Sequence, residues 1–112
     1  MAAKANIIID QGTDYSTVLS VTNDDGTPTN LSGYTAAGQI RKNYASANPS
    51  ATFTITFSSD RSDGLVTASL PRATTGAIAA GRYVYDIELT SAGDKTTRLV
   101  EGIATVTPQV TK

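Results

Sequence analysis

The sequence predicts an all-β protein, an antiparallel sandwich of about seven strands. Three observations carry that prediction. Apolar residues recur at alternate positions within short runs, the signature of half-buried strands. The runs are divided by clusters of Gly, Asp, Asn and Pro at spacings of roughly 10–15 residues, which leaves no room for helical crossovers. About a quarter of the chain is Ser or Thr, and Thr suits a pleated, half-buried surface. The 112 residues fit one domain, 1–112, large enough to bury a core of its own.

The first run covers about 4–10 and is followed by a tight turn at Gln11-Gly12-Thr13. Over 14–22, Tyr15, Thr17, Leu19 and Val21 share one face and Ser16, Val18 and Ser20 the other. Asn23 to Pro28 is a turn, because Asp25-Gly26 tolerates positive φ and Pro28 cannot donate to a central ladder. Leu31 is expected in the core. The run 34–42 sets Tyr34, Ala36, Gly38 and Ile40 inward, and its small residues at 36–38 imply that another element packs close. Residues 43–50 read as an exposed loop.

The run 51–57 alternates Phe53, Ile55 and Phe57 with Thr52, Thr54 and Thr56, and reads as one strand. Ser58 to Gly64 is a polar turn, and 65–70 places Val66, Ala68 and Leu70 inward. The region 71–79 is the one helical candidate. Pro71 suits a first turn and Ala73, Ala77 and Ile78 lie near helical spacing, but Thr74-Thr75-Gly76 limits it to a short turn. The run 82–90 points Tyr83, Tyr85, Ile87 and Leu89 inward. After a hairpin loop at Ser91–Asp94, the last run, about 95–107, carries Gly102 at its middle. A bulge there would move the inward register from Leu99 to Ile103. Sequential hairpins are the expected connections.

Composition excludes most chemistry. There is no His and no Cys, which rules out imidazole or thiolate metal sites, thiol nucleophiles, disulfides and a Ser-His-Asp triad. The Asp residues fall mainly in turns, where they bond local backbone. Asp24-Asp25 and Asp60/Asp63 could offer oxygens to calcium, but their spacing is not that of a calcium loop and Arg61 lies among them. Asp86 and Glu88 should face solvent beside Arg98 or Lys95. The glycines are dispersed rather than grouped in a phosphate-binding loop. A net charge of −1 with scattered basic residues gives no footprint for nucleic acid. Three isoleucines are too few for a signal core or membrane span. No enzyme, cofactor, metal, nucleic acid, membrane or small-molecule substrate is therefore expected.

One segment invites a partner. Ile7, Ile8 and Ile9 are consecutively apolar, so side chains on both faces of this strand favour burial. Either the fold covers both faces, or the strand pairs with a neighbouring subunit by edge addition. The low-charge, Thr-rich outer faces suit docking as well as ordinary exposure.

Two stretches also carry a family pattern. The first is Gln11-Gly12-Thr13-Asp14-Tyr15, Asp25-Gly26-Thr27-Pro28, Leu31-Ser32-Gly33-Tyr34 and Gly38-Gln39-Ile40-Arg41-Lys42. The second is Ala80 to Leu89 (AGRYVYDIEL), Arg98 to Gly102 (RLVEG) and Val106-Thr107-Pro108. Together they resemble the small β-sandwich modules of tailed-phage structural genes, namely the long-tail-fibre-connector-like sandwich and the N-terminal module of baseplate upper proteins. The resemblance implies an Ig-like sandwich that serves as a virion building block, made in the host bacterial cytoplasm. Its partners would be other virion structural proteins, met in multiple symmetric copies as a tail, baseplate or fibre connector or accessory subunit. Capsid decoration on the head and carbohydrate or host-surface binding are the alternatives. Because the chain ends at Lys112, where baseplate modules continue into a further domain, a stand-alone subunit is expected.

Overall fold

A computed structural model describes residues 3–111. Among these residues nine strands build two sheets: β1 (Ala3–Lys4), β2 (Ile7–Asp10), β3 (Tyr15–Ser20), β4 (Thr35–Arg41), β5 (Ala51–Thr52), β6 (Thr54–Phe57), β7 (Leu65–Leu70), β8 (Gly81–Thr90) and β9 (Thr96–Thr107). The larger sheet runs β1/β2-β9-β8-β4-β5, and the smaller runs β3-β7-β6. In immunoglobulin terms, β4, β8 and β9 occupy the C, F and G places and β3, β7 and β6 the B, E and D places; β5 adds the extra strand of the variable type. The fold is an Ig-like sandwich.

All seven predicted runs are strands, and two of them are divided. The first breaks at Ala5-Asn6 between β1 and β2, where the Asn6 side-chain oxygen accepts from the Ile103 N–H at 3.1 Å in place of a ladder bond. The run 51–57 changes sheets. Its first two residues pair with β4, the Phe53 N–H donates to Gly38 O at 2.9 Å, and from Thr54 onward it pairs with β7. Alternation continues through the switch because both sheets need an inward residue at every second place. Sequence periodicity thus reads two half-strands as one.

Connectivity departs from sequential hairpins. Consecutive strands pair at β4-β5, β6-β7 and β8-β9, whereas β3 passes over to pair with β7 and β4 also pairs with β8. Nor is the sandwich wholly antiparallel, since β1 and β2 run parallel to β9.

The core fills the space between the sheets. Ile9, Ile40, Tyr83, Tyr85, Ile87, Val100, Ala104 and Val106 come from the larger sheet, meeting Ala68 and Leu70 of the smaller one, Phe53 at the switch and Ile78 after the helix. A second cluster of Leu31, Val66 and Leu89 closes one end. The expected inward faces of β7 and β8 hold throughout. The phenol O–H of Tyr83 donates to Ala79 O at 2.7 Å, four residues upstream. This is the tyrosine corner of Ig-like domains, which pins the β7–β8 crossing. In place of a disulfide, Tyr85 meets Phe53 edge-on with ring centroids 6.1 Å apart.

Two expectations of register are corrected. The bulge in β9 lies at Leu99, skipped between the pairs Ile87↔Val100 and Glu88↔Arg98, and not at Gly102. Val100, Ala104 and Val106 consequently face inward, and Ile103 faces out. Gly102 is needed because a Cβ there would overlap the Ala5 carbonyl. The helix α1 (Arg72–Ala77) forms as a short turn, but its buried residues are Thr75 and, just beyond it, Ile78, whereas Ala73 and Ala77 are exposed. The Thr75 hydroxyl is satisfied by donating to Thr13 O at 2.7 Å. A further 3₁₀ turn, Arg61–Asp63, lies in the polar turn after β6.

Candidate assembly surface

The two outer faces differ in charge. On the larger sheet, Arg41, Arg82, Asp86, Glu88, Arg98 and Glu101 all point away from the core, because each alternates with an inward residue. The smaller sheet presents Ser16, Val18 and Ser20 of β3, Thr67 and Ser69 of β7, and Thr54 and Thr56 of β6. That outer face carries no charged side chain. Depletion of charge distinguishes the cores of protein interfaces from ordinary surface.

Four of these six charged side chains, Arg41, Asp86, Arg98 and Glu101, find partners on the protein itself. Arg98 Nε lies 3.3 Å from Asp86 and its Nη1 3.6 Å from Glu101, with the Arg98 and Asp86 side chains 49% and 39% exposed. The pairing of Asp86 with Arg98 matches the sequence expectation. Arg41 donates to Gln39 Oε1 at 2.7 Å and to Ser46 O at 2.8 Å, which ties down the 43–50 loop. Tyr44, 81% exposed, stands over a shallow hollow of about 210 Å³ that these side chains line.

The three isoleucines have different environments. Ile9 is fully buried, Ile7 packs at the margin of the core, and Ile8 is 68% exposed on the outer face. The fold therefore does not cover both faces of this strand. The strand lies on an edge, parallel to β9, and Ile8 pairs in register with Thr105, two residues from exposed Ile103.

Asp25, Asp60 and Asp63 do the turn work expected of them. Asp25 accepts from both the N–H and the hydroxyl of Thr27. Asp60 caps the 3₁₀ turn through Ser62, and Asp63 accepts from Ser58 and from the Leu65 N–H. The hydrogen bonds from Thr27 and Ser62 hold the Asp25 and Asp60 carboxyls below the ordinary carboxylate range. Arg61 donates to Leu31 O and Tyr34 O, so a cation stands where calcium would need oxygens alone. Among the described residues no group of three or more His, Cys, Asp or Glu could hold a metal ion. Burial raises the phenols of Tyr15 and Tyr85. Among the described residues no helix is long and apolar enough to cross a membrane.

Sequence reasoning missed the edge of β3. Here the first strand joins β9, whereas the constant-type arrangement places strand A beside strand B. β3 consequently pairs with β7 alone. The available signal was that 15–22 contains no charge and no Pro, the usual protections of an exposed edge. Which strand is an edge is a long-range property that the run itself does not encode.

An Ig-like sandwich with a charge-free sheet is thus the class that fold and surface define. No family model matches the chain, and no curated protein does. Among solved structures, Tim-1 aligns at 12% identity over 100% of this chain and 99% of that one, with a TM-score of 0.44. A family 123 glycoside hydrolase from Clostridium perfringens aligns at 14% identity over 97% of this chain and 24% of that one, with a TM-score of 0.38.

Proposed function

We propose that this chain is a non-enzymatic structural component of a tailed-phage virion. In this reading it is a connector or accessory subunit of tail, baseplate or fibres, holding other virion proteins in multiple symmetric copies. The family pattern in the strands and turns supplies the phage setting. The observation that carries the assembly role is the charge-free outer face of the β3-β7-β6 sheet, continuous with an unprotected edge. Capsid decoration is the same role performed on the head. No cofactor, nucleic acid, membrane or small-molecule substrate takes part. Mass spectrometry of purified particles is the test. Peptides of this chain at a fixed ratio to the major structural proteins are expected, and their absence would refute the reading.

One observation favours a second reading as a carbohydrate-binding module on the host surface: the exposed Tyr44 ring beside a hollow rich in hydrogen-bonding groups. Binding on a glycan array that disappears in Tyr44→Ala would support it over the first.

A further inference from the structure

We infer that β3 pairs with β3 of a second copy of this chain, antiparallel about a two-fold axis through Val18. The inference rests on the reading of the chain as an assembling subunit, and it names one partner and one register. One bond fixes which way the backbone of β3 points. The Val21 N–H donates to Gly64 O at 2.8 Å, toward the β7 side. Successive residues of an antiparallel strand point their N–H and C=O to opposite sides. Tyr15, Thr17 and Leu19 therefore bond β7, and Ser16, Val18 and Ser20 aim their N–H and C=O out of the sheet edge.

Three considerations select a second copy in this register. First, extending the sheet requires inward residues to face inward residues, so positions i and j must share parity. A two-fold axis at Val18 pairs Ser16 with Ser20, Val18 with itself, and Thr17 with Leu19. All the outward-pointing backbone groups then meet their like, giving six hydrogen bonds between the copies. Second, residues 15–20 carry no charge, so no like charges oppose one another across the axis. Val18, 61% exposed in the single chain, packs against its own copy. Third, the other edges are interrupted or shorter. β1/β2 is interrupted at Ala5-Asn6 and carries Lys4 and Asp10, β5 is two residues long, and β6, the far edge of the smaller sheet, is four residues against the six of β3.

The extent of the contact sets its strength. A stable dimer buries roughly 1,200–2,000 Å² in total, more than one six-residue edge supplies. The pair is therefore a weak, exchanging dimer in free solution. It becomes persistent where a particle holds copies at effective concentrations on the order of millimolar.

Cysteine cross-linking tests the register, because the chain contains no Cys and each introduced thiol is alone. Paired Val18 Cα atoms would lie about 5.5 Å apart, within disulfide reach, whereas two Ser16 Cα atoms would stand roughly 14 Å apart. Under mild oxidation of the purified full chain, Val18→Cys is expected to dimerise at least about tenfold faster than Ser16→Cys. A mixture of Ser16→Cys and Ser20→Cys should cross-link faster than either alone. Equal rates for Val18→Cys and Ser16→Cys would overturn the proposal. Sedimentation of the unmodified chain provides a second measurement. Dimer that grows with concentration and vanishes in Val18→Lys supports the pairing. A monomer at every concentration up to about a millimolar overturns it, as does a dimer indifferent to Val18→Lys. If β3 instead serves a strand of another virion protein, the free chain stays monomeric while Val18→Lys is lost from particles. That outcome refutes self-pairing and leaves the structural role standing.

Discussion

Gly102→Ala is the most informative single change to the fold. A methyl group at this place would overlap the Ala5 carbonyl carbon and oxygen and approach the Asn6 side chain. The segment between β1 and β2 must then move away from β9. Three bonds depend on its position: Ala5 N–H to Glu101 O at 2.9 Å, Ile103 N–H to Asn6 Oδ1 at 3.1 Å, and the Tyr85 hydroxyl to Ala5 O. The first two contribute about 1 kcal/mol each, and a part-buried Tyr85 hydroxyl left without a partner costs about 1–3 kcal/mol. Replacing a strand glycine by alanine returns about 0.5–1 kcal/mol. The net expectation is a loss of about 3 kcal/mol. Urea denaturation followed by tyrosine fluorescence should show a lower midpoint at unchanged m-value. Because residues 3–6 can peel away without the rest, amide exchange at Ala5 and Ile103 should accelerate first. A midpoint within about 0.5 kcal/mol of the parent, with Ala5 still protected, would refute the reasoning.

Ile87, 1% exposed between the sheets, should lose about 2–4 kcal/mol as Ile87→Ala in the same assay. Tyr83→Phe removes the corner hydrogen bond to Ala79 and keeps the ring, so a loss of about 1 kcal/mol is expected by thermal unfolding. Arg98→Ala, whose ion pairs are about half exposed, should change stability by less than about 1 kcal/mol. The lowered carboxyls of Asp25 and Asp60 stabilise the folded chain above their unfolded values near 3.9, and this contribution disappears as pH falls further. Side-chain NMR titration should find both among the low-titrating carboxyls. Tyr15 and Tyr85 act at the other limit. Their raised phenols make the folded chain bind protons more tightly than the unfolded one, so stability falls as pH rises beyond about 10. Denaturant midpoints measured from pH 9 to pH 11 check this.

Local periodicity carried much of the architecture. Val66/Ala68/Leu70 and Tyr83/Tyr85/Ile87/Leu89 turn inward as read, since a half-buried strand obliges apolar side chains to alternate. The turns were equally legible, because Asp25-Gly26 and Ser91–Asp94 make their bonds with neighbours in sequence. What escaped depends on distant partners. The sheet switch at Phe53 keeps the same alternation on both sides, so nothing in 51–57 marks it. Gly102 was correctly picked out as unusual, but the cause is the Ala5 backbone 97 residues away in sequence, and the bulge sits at Leu99 instead. The same limit applies to the assembly surface. The three isoleucines attracted notice by their composition, yet one is core, one marginal and one exposed. β3 looked like an ordinary strand, and its open edge follows only from β2 having joined β9.

The proposed role has this sandwich built into a particle through its β3-β7-β6 sheet. A cryo-electron microscopy reconstruction of the purified virion tests that directly. Density for the sandwich is expected in symmetric copies, with the edge of β3 or the Ser/Thr outer face against a neighbouring subunit. A particle without this density, or copies whose β3-β7-β6 sheet faces open solvent throughout, would contradict it.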